Sequence, residues 1–300
     1  MVIAYLRYLP DPDGDRIRGG VHYRRVANLK ETTTMLRKFY PQYLNYVPDL
    51  GLTLQTIPQN SIDKVYKPQE RLKEIVKSPK DVLEEIYSKF VEALSLESGV
   101  PVSNFGVAGS SLIGLSRETS DVDIIVYGRN QGSQTYQALK RLRIAGSWIE
   151  PYTAISVVNV LNQRWGETSV ELSRLKEIEV KKVLHGRVSG RDYFIRLLRE
   201  YDDNFSSHPV EEVVFRGKIS DSSCSIFTPV TYRVGDVEWI SAQRTIKTIE
   251  LLSYRGKFTE QVLQGEYVEA HGMLEEIGDP EGPRFRVVLG SDSDYLIPCL

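Results

Sequence analysis

GSSLIGLSRETSDVDIIVYG, residues 109–128, is the stretch whose reading decides the fold. It follows a short apolar run at 104–108 and reads as a strand, a Gly109-Ser110-Ser111 turn, a turn of helix, a polar loop and a second strand at 122–127. Residues two apart on a strand share a face, so Asp121 and Asp123 project together while Val122 and Ile124 point into a core. Ile125-Val126 prolongs the strand and gives the carboxylates a stiff support. Gly109 lets backbone approach an anion closely, and Ser110 and Ser111 add hydroxyls and N–H groups at the start of the short helix. Mg²⁺ takes carboxylates, phosphate oxygens and water in octahedral geometry, so paired carboxylates near an anion cradle point to metal-assisted chemistry on a phosphate.

Gly109-Ser110, ten intervening residues, then Asp121-Val122-Asp123-Ile124 resembles the signature of the DNA polymerase β-like nucleotidyltransferase superfamily. The second glycine, Gly114, and the polar approach to Asp121 are part of the likeness. The diagnostic motif covers only about residues 104–128. More weakly, the whole chain is similar to an archaeal group of predicted nucleotidyltransferases, through its YLRYLPDPDGDRIRGGVHYRRV opening and an RGKISDS segment. The resemblance implies an α+β fold with a mixed sheet and helices. It implies transfer of NMP from an NTP to a hydroxyl acceptor, an RNA end, a protein or a small molecule, with release of pyrophosphate. Two Mg²⁺ ions would be held by Asp121, Asp123 and a third carboxylate on a later strand, and Gly109, Ser110 and Ser111 would hold the β- and γ-phosphates. Asp221, at the end of the strand-like run 213–220, is the choice for the third acid, and Glu212 is its rival. The third acid would also help deprotonate the acceptor.

Outward from this core, the N-terminus reads as a hairpin. Residues 3–8 alternate, Asp11-Pro12-Asp13-Gly14-Asp15 turns, and 21–26 returns. The Asp-rich turn resembles the start of a calcium loop, but its Gly falls one place early and His22 stands where a bidentate Glu is needed. Residues 30–46 read as helix. A second helix starts with Ser78 as N-cap and Pro79 at the first position, and ends near Gly99 before Pro101. A further helix is expected over 133–144, and two or three more over 152–204, the last starting at Ser189-Gly190-Arg191. From about residue 210 strands are expected at 211–220, 228–234, 249–258, 267–276 and 284–289, a β-rich C-terminal part that would suit a small barrel. The expected divisions are 1–77, an N-terminal hairpin and helical region; 78–209, the nucleotidyltransferase core with a helical extension; and 210–300, the β-rich region that would supply the third acidic strand.

Three hundred residues with 41% hydrophobic and 26% charged content describe an ordinary globular protein. No run of about 18 apolar residues suggests a membrane span, and the N-terminus lacks a signal-peptide pattern, so a cytoplasmic location is expected. Two cysteines, Cys224 and Cys299, give neither a disulfide framework nor metal-ligand spacing. The formal net charge of −2 offers no global attraction for nucleic acid. Lys140-Arg141-Leu142-Arg143 and Lys181-Lys182 are local basic patches that also suit solvated helix faces.

Other residues leave alternatives open. Arg216 and Lys218 share a strand face and would meet a triphosphate, or lie in solvent. Arg117 would approach a γ-phosphate or be exposed. The four histidines, His22, His185, His208 and His271, form no cluster in sequence. Tyr5, Tyr8, Tyr23 and Arg24-Arg25 mix aromatic and basic groups, as a nucleic-acid surface does. The C-terminal Gly290-Ser291-Asp292-Ser293-Asp294 has similar residue types without a supporting strand and reads as a loop. Besides the enzyme, two readings stand: a catalytically silent module of the same fold that binds nucleotide, RNA or protein, and an OB-like nucleic-acid binder at the C-terminus. The acidic Glu266, Glu269, Glu275 and Glu276 oppose a basic groove there.

Overall fold

The computed structural model describes residues 1–26, 29–47, 52–165, 168–201, 206–241, 243–278 and 284–299. The N-terminal part comprises β1 (Val2–Ile3), β2 (Tyr8–Pro10), β3 (Arg16–Arg18), β4 (Val21–Arg25), α1 (Leu29–Phe39), β5 (Leu44–Val47) and β6 (Leu52–Ile57). The central part runs α2 (Pro68–Lys77), α3 (Val82–Ser98), β7 (Phe105–Val107), α4 (Gly109–Leu112), β8 (Val122–Tyr127), α5 (Arg129–Leu142), β9 (Ile149–Glu150), α6 (Val158–Trp165), α7 (Leu172–Lys181), β10 (His185–Val188) and β11 (Arg191–Leu198). The last part is β-rich: β12 (Ser207–Asp221), β13 (Phe227–Thr228), β14 (Val230–Trp239), β15 (Ile249–Ser253), β16 (Tyr267–Ile277), β17 (Arg284–Val288) and β18 (Tyr295–Pro298). The whole is a mixed α/β protein whose C-terminal part is barrel-like.

The central sheet has the order β7-β8-β11-β10-β9, with β13 joined to β11. β7 runs antiparallel to β8, whereas β8 and β11 are parallel. Parallel neighbours need a long crossover, and here the crossover contains α5, β9, α6, α7 and β10. Val122, Ile124 and Val126 are buried, as are Tyr193, Ile195 and Leu197 on the neighbouring strand. That face packs with Phe90, Val91 and Leu94 of α3 and Leu139 of α5. Asp81 caps α3 by accepting a hydrogen bond from Glu84 N at 2.9 Å, and Gly99, in left-handed conformation, closes it.

The start of α3 corrects the sequence reading. Ser78 ends the preceding helix α2, and Asp81 is the N-cap of the next. At the N-terminus, the tight hairpin is β3–β4, turned by Gly19 and Gly20 at positive φ, and β2 lies on the other side of β4. The Asp11 turn is held by its own carboxylate, which accepts from Asp13 N at 3.0 Å, and Gly14 N donates to Asp11 O at 2.9 Å. The expected helix at 30–46 ends at Phe39, before Pro41.

The largest correction falls at 189–198. The expected helix there is the strand β11, and Ser189-Gly190 is the hairpin turn between β10 and β11, with φ of 47° and 78°. Two consecutive positive φ values are the signature of the primed turns that suit hairpins.

In the C-terminal part, β12 pairs with β14, β14 with β15, β15 with β17, β17 with β16, and β16 back with β12. The circuit is closed, and only its β15–β17 step is parallel. Closure removes the sheet edges that would otherwise invite association. Its core is Val213, Phe215, Tyr232, Leu251, Ala270 and Val287, joined by Val157, Leu161, Trp165 and Leu175 from α6, α7 and the turn before them.

Two buried acids join this barrel to the central sheet. Glu260 accepts from Val183 N at 2.8 Å, Leu184 N at 2.9 Å and the Tyr136 hydroxyl at 2.8 Å. Glu179 accepts from Trp165 Nε1 at 3.0 Å and Lys182 Nζ at 2.6 Å, and Lys182 also donates to Lys257 O at 2.6 Å. Beside them, His185 donates from Nε2 to Glu179 O at 2.9 Å and accepts at Nδ1 from Arg164 Nη1 at 2.7 Å. Both ring contacts use the neutral imidazole. Burial, then the Arg164 charge, hold its pKa down to about 3. Burial raises Glu179, but Lys182, His185 and Arg164 together overcome it and bring its pKa down to about 2.

These shifts set an acid limit. Unfolded His185 takes a proton below its ordinary 6.5, whereas the folded group resists until about 3, so its contribution is full above pH 6.5 and lost as pH falls to 3. Glu179 contributes fully above pH 4.5 and loses its share on the way to 2. His185 is expected to contribute a loss of about 2 kcal/mol between pH 6.5 and 5, offset in part by Asp123, whose raised carboxyl binds a proton in the folded state over the same interval. In His185→Gln, which keeps a donor and an acceptor, the His185 loss should vanish, so stability should no longer fall as pH drops from 6.5 to 5. Denaturant unfolding at several pH values checks this, and equal slopes in both proteins would refute it.

Candidate active site

The face of the central sheet opposite the α3 and α5 core carries the polar residues. Asp121 precedes β8 and Asp123 lies within it, both on this face. The parallel register pairs Tyr193 with Val122 and Phe194 with Asp123. One step earlier, Asp192 therefore stands level with Asp121. Paired residues of adjacent strands point to one side, so Asp192, Phe194 and Arg196 share the face of Asp121 and Asp123. Asp121, Asp123 and Asp192 thus share one face at the start of β8 and β11, with Arg196 further along it.

Two tertiary contacts fix the pair on β8. The Tyr87 hydroxyl, from α3, accepts from Asp123 N at 2.8 Å and donates to Asp121 O at 3.4 Å, holding the peptides between the carboxylates. Ala108 N donates to Asp123 O at 2.9 Å, which brings the Gly109 turn against the strand. Gly109 has φ of +60°, and a Cβ there would stand 2.1 Å from Asp123 Oδ2. Gly109 backbone and the Asp123 carboxylate are therefore in direct apposition. The loop beyond is closed by Ser120, whose hydroxyl accepts from Arg117 N at 2.8 Å and from Ser110 Oγ at 3.4 Å. Ser111 is buried, and its carbonyl accepts from Arg71 Nε at 3.2 Å.

The electrostatics of the face are those of crowded anions. Surrounding protein raises the Asp123 carboxyl to about 6, with the Asp121 charge as the second cause, and Arg196, Arg25 and Arg164 pull the other way. Asp121 is also raised, first by desolvation and then by Asp192, against Arg25, Arg164 and Arg16. Its side chain is open to solvent and Asp123 is half-buried, so the acids do not lie within a sealed core. Among the described residues neither Asp121 nor Asp123 has an ion pair. Asp192 interacts with the Tyr152 hydroxyl and lies 3.9 Å from Arg187 Nε. Phe194, between them and the barrel, has Arg164 over its ring at 4.9 Å and packs on Gly256.

The carboxylate level with Asp121 on the neighbouring strand is Asp192, and not Asp221. Asp221 ends β12 in the barrel, where its carboxylate accepts from Ser223 N at 2.8 Å and its charged neighbours are Arg233 and Arg129. Arg129 follows the far end of β8, about 20 Å of strand from Asp121. Glu212, the rival, lies on the same barrel strand, 4.0 Å from His271 Nε2. Arg216 and Lys218 are also on β12; Arg216 is bound to Glu269 at 2.8 Å, and the Lys218 ammonium lies 5.9 Å from the Tyr267 ring centre. Arg117 is exposed and ion-paired with Asp15. The structure brings Gly109, Ser110, Ser111, Asp121 and Asp123 together, and leaves Asp221, Arg216 and Lys218 elsewhere. The missed signal was Ser189-Gly190-Arg191-Asp192, a hairpin turn followed by an alternating strand.

Among the described residues no three His, Cys, Asp or Glu side chains converge into a preformed metal cage. Mg²⁺ does not demand one, because it binds through one or two carboxylates, substrate phosphates and water. Two crowded carboxylates with raised affinity for protons, backed by a third, are a donor set that a cation would relieve.

No protein-family model matches the chain. The chain is similar to "Uncharacterized protein MJ1086" of Methanocaldococcus jannaschii, with 26% identity over 306 residues, covering 96% of this chain and 87% of that protein. No solved structure matches it. Among the described residues, no helix is long and apolar enough to cross a membrane.

The glycine turn gives a sharp test. Gly109→Ala should lower stability by more than the roughly 1 kcal/mol of a left-handed backbone, because its Cβ also displaces Asp123. Gly114→Ala, at φ of +67° with nothing within 4 Å of the added carbon, should cost the backbone term alone. Thermal melting of the two variants compares them, and equal losses would show that the Gly109–Asp123 apposition is unimportant.

Proposed function

We propose that this chain is a nucleotidyltransferase that moves NMP from an NTP to a hydroxyl acceptor and releases pyrophosphate. The observation that carries the reading is the placement of Asp121, Asp123 and Asp192 on one face of two parallel strands, with the Gly109-Ser110 turn against Asp123. The order α3–β7–α4–β8 followed by β11, with β8 between an antiparallel and a parallel neighbour, supports it. So does the Gly-Ser and Asp-x-Asp spacing that resembles the polymerase β-like superfamily.

Asp121 and Asp123 would hold Mg²⁺, with Asp192 on the acceptor side. When bound, Mg²⁺ supplies charge neutralisation at the phosphate oxygens. The chain's own groups do the rest. Gly109 leaves room for the β- and γ-phosphates, and the Ser110 hydroxyl with the N–H groups of Ser110 and Ser111 orients them, the Ser111 hydroxyl itself being buried toward Tyr87. Asp192 accepts the proton of the attacking hydroxyl as its oxygen bonds to the α-phosphorus. The bond from that phosphorus to the bridging oxygen breaks, and pyrophosphate leaves with the electron pair. Tyr87 keeps the two β8 carboxylates in register during this exchange.

The acceptor classes are an RNA end, a protein side chain and a small-molecule hydroxyl. The barrel's strand circuit has the connectivity of OB-type barrels, which hold nucleic-acid strands, and this favours an RNA acceptor; the acidic Glu266, Glu269, Glu275 and Glu276 weigh against a basic groove. A silent nucleotide-binding module remains the alternative reading, marked by metal-dependent NTP binding without pyrophosphate under any acceptor mixture.

Pyrophosphate release from labelled NTPs, with cell extract as acceptor, tests the reading. Asp121→Asn with Asp123→Asn should abolish release, and Asp192→Asn should lower kcat by about 100-fold. Asp221→Asn should leave it unchanged. Mg²⁺ with NTP should raise the melting temperature of the wild type and not of the double variant. Retained release in the double variant, or a larger loss in Asp221→Asn than in Asp192→Asn, would overturn the assignment.

A further inference from the structure

The small N-terminal sheet lies against the loop that leads to Asp121. Its register pairs Tyr8 with Arg25, Pro10 with Tyr23, and Arg16 with Tyr23, so Tyr8, Arg25, Tyr23 and Arg16 lie on one face. His22, Arg24 and Leu9 lie on the other. The sheet is docked on the loop that joins the Gly-Ser turn to Asp121. Arg16 Nη1 donates to Leu115 O at 2.6 Å, and Asp15 pairs with Arg117. The electrostatics agree with the register, since Arg16 and Arg25 both act on Asp121 and Arg25 also acts on Asp123.

The two faces differ in how their arginines are used. Arg24, on the outer face, is bound to Asp11 and Glu31, each at 3.1 Å. Arg25 is exposed and, among the described residues, has no carboxylate partner within 4 Å. Arg16 is only 6% exposed, and its Nε has no hydrogen-bond partner. The nearest carboxylate, Asp15, is 3.9 Å from that nitrogen and is already held by Arg117. A buried guanidinium with an unpaired donor is costly to leave unsatisfied. Cations placed here merely to neutralise the acids would close into ion pairs with them. Instead they act on the acids without pairing with them, Arg16 and Arg25 on Asp121 and Arg25 on Asp123. A metal-bound polyphosphate suits such separated charges, because it offers a cation to the carboxylates and anionic oxygens to guanidinium groups.

We propose that the β2–β4 sheet is the wall of the donor pocket, and that Arg16 and Arg25 bind the β- and γ-phosphates of a nucleoside triphosphate opposite Gly109-Ser110. This rests on the nucleotidyltransferase reading for the identity of the donor. Tyr8, 5.8 Å from the Arg16 guanidinium carbon, backs that side chain. The sheet is thus a substrate-binding part of the enzyme, built from a segment some hundred residues before the acid strand.

The test is calorimetric titration of the full chain with Mg-NTP, with nucleoside monophosphate and with inorganic tripolyphosphate. Arg25→Gln, at an exposed position, should weaken NTP and tripolyphosphate binding about tenfold and leave monophosphate binding unchanged. Arg16→Lys, which keeps the charge but loses the fork and its bond to Leu115 O, should do the same with a lowered melting temperature. Arg24→Gln on the outer face is the control and should bind like the wild type. In turnover, the loss should appear in KM for NTP more than in kcat. Equal triphosphate affinity in Arg25→Gln, Arg24→Gln and the wild type overturns the proposal, as does a wild type that binds no tripolyphosphate. The two readings fail separately. Tripolyphosphate binding lost in Arg25→Gln, with no pyrophosphate released by any form, keeps the anion wall and removes nucleotidyl transfer. Normal turnover with an unchanged KM in Arg25→Gln and Arg16→Lys keeps the enzyme and removes the wall.

Discussion

The parallel pairing of β8 with β11 is the constraint on which the rest of the molecule depends. Its register sets Asp192 level with Asp121 and Phe194 beside Asp123. A slip of one residue would turn Asp192 toward the apolar core and Tyr193 toward solvent, because side chains alternate along a strand. The buried Tyr193, Ile195 and Leu197, matched to Val122, Ile124 and Val126, make such a slip expensive. The apolar half of each strand thus fixes the position of the acidic half.

Keeping those acids together has an electrostatic cost, visible in the raised carboxyls of Asp121 and Asp123. The structure offsets it partly with arginines at a distance: Arg196 on the neighbouring strand, Arg164 from α6, and Arg16 and Arg25 from the N-terminal sheet. None closes onto the Asp121–Asp123 pair among the described residues. A site that holds cations and anions apart retains its affinity for a ligand carrying both.

The joint beneath Arg164 keeps this geometry stiff. His185, neutral between Arg164 and the Glu179 carbonyl, orients the guanidinium that also covers Phe194. Glu260 of the barrel part accepts from Val183 N and Leu184 N, and Lys182, paired with Glu179, donates to Lys257 O of the barrel part. Their hydrogen bonds tie the barrel to the beginning of β10, one hairpin turn from Asp192. The barrel's position and the acid site are therefore mechanically linked.

The sequence by itself determined the local half of the site. Gly109-Ser110-Ser111 and Asp121-Val122-Asp123 lie within one strand–turn–strand unit, where spacing and alternation are legible without knowledge of any other part. It also determined the β-rich C-terminus, since strands with Gly and Asp turns declare themselves locally. The third carboxylate was different. Ser189-Gly190-Arg191 has the residue types of a helix start, and only the pairing of 185–188 with 191–194 makes Ser189-Gly190 a hairpin turn. Asp221 was preferred because it ends a clear strand, but that strand closes the barrel and leaves its carboxylate near Arg129. Which strand lies beside β8 is decided by a crossover of more than sixty residues, and no local pattern encodes it. The same holds for Arg16 and Arg25: their alternation was readable, while the surface they face was settled by docking on Leu115 and Arg117.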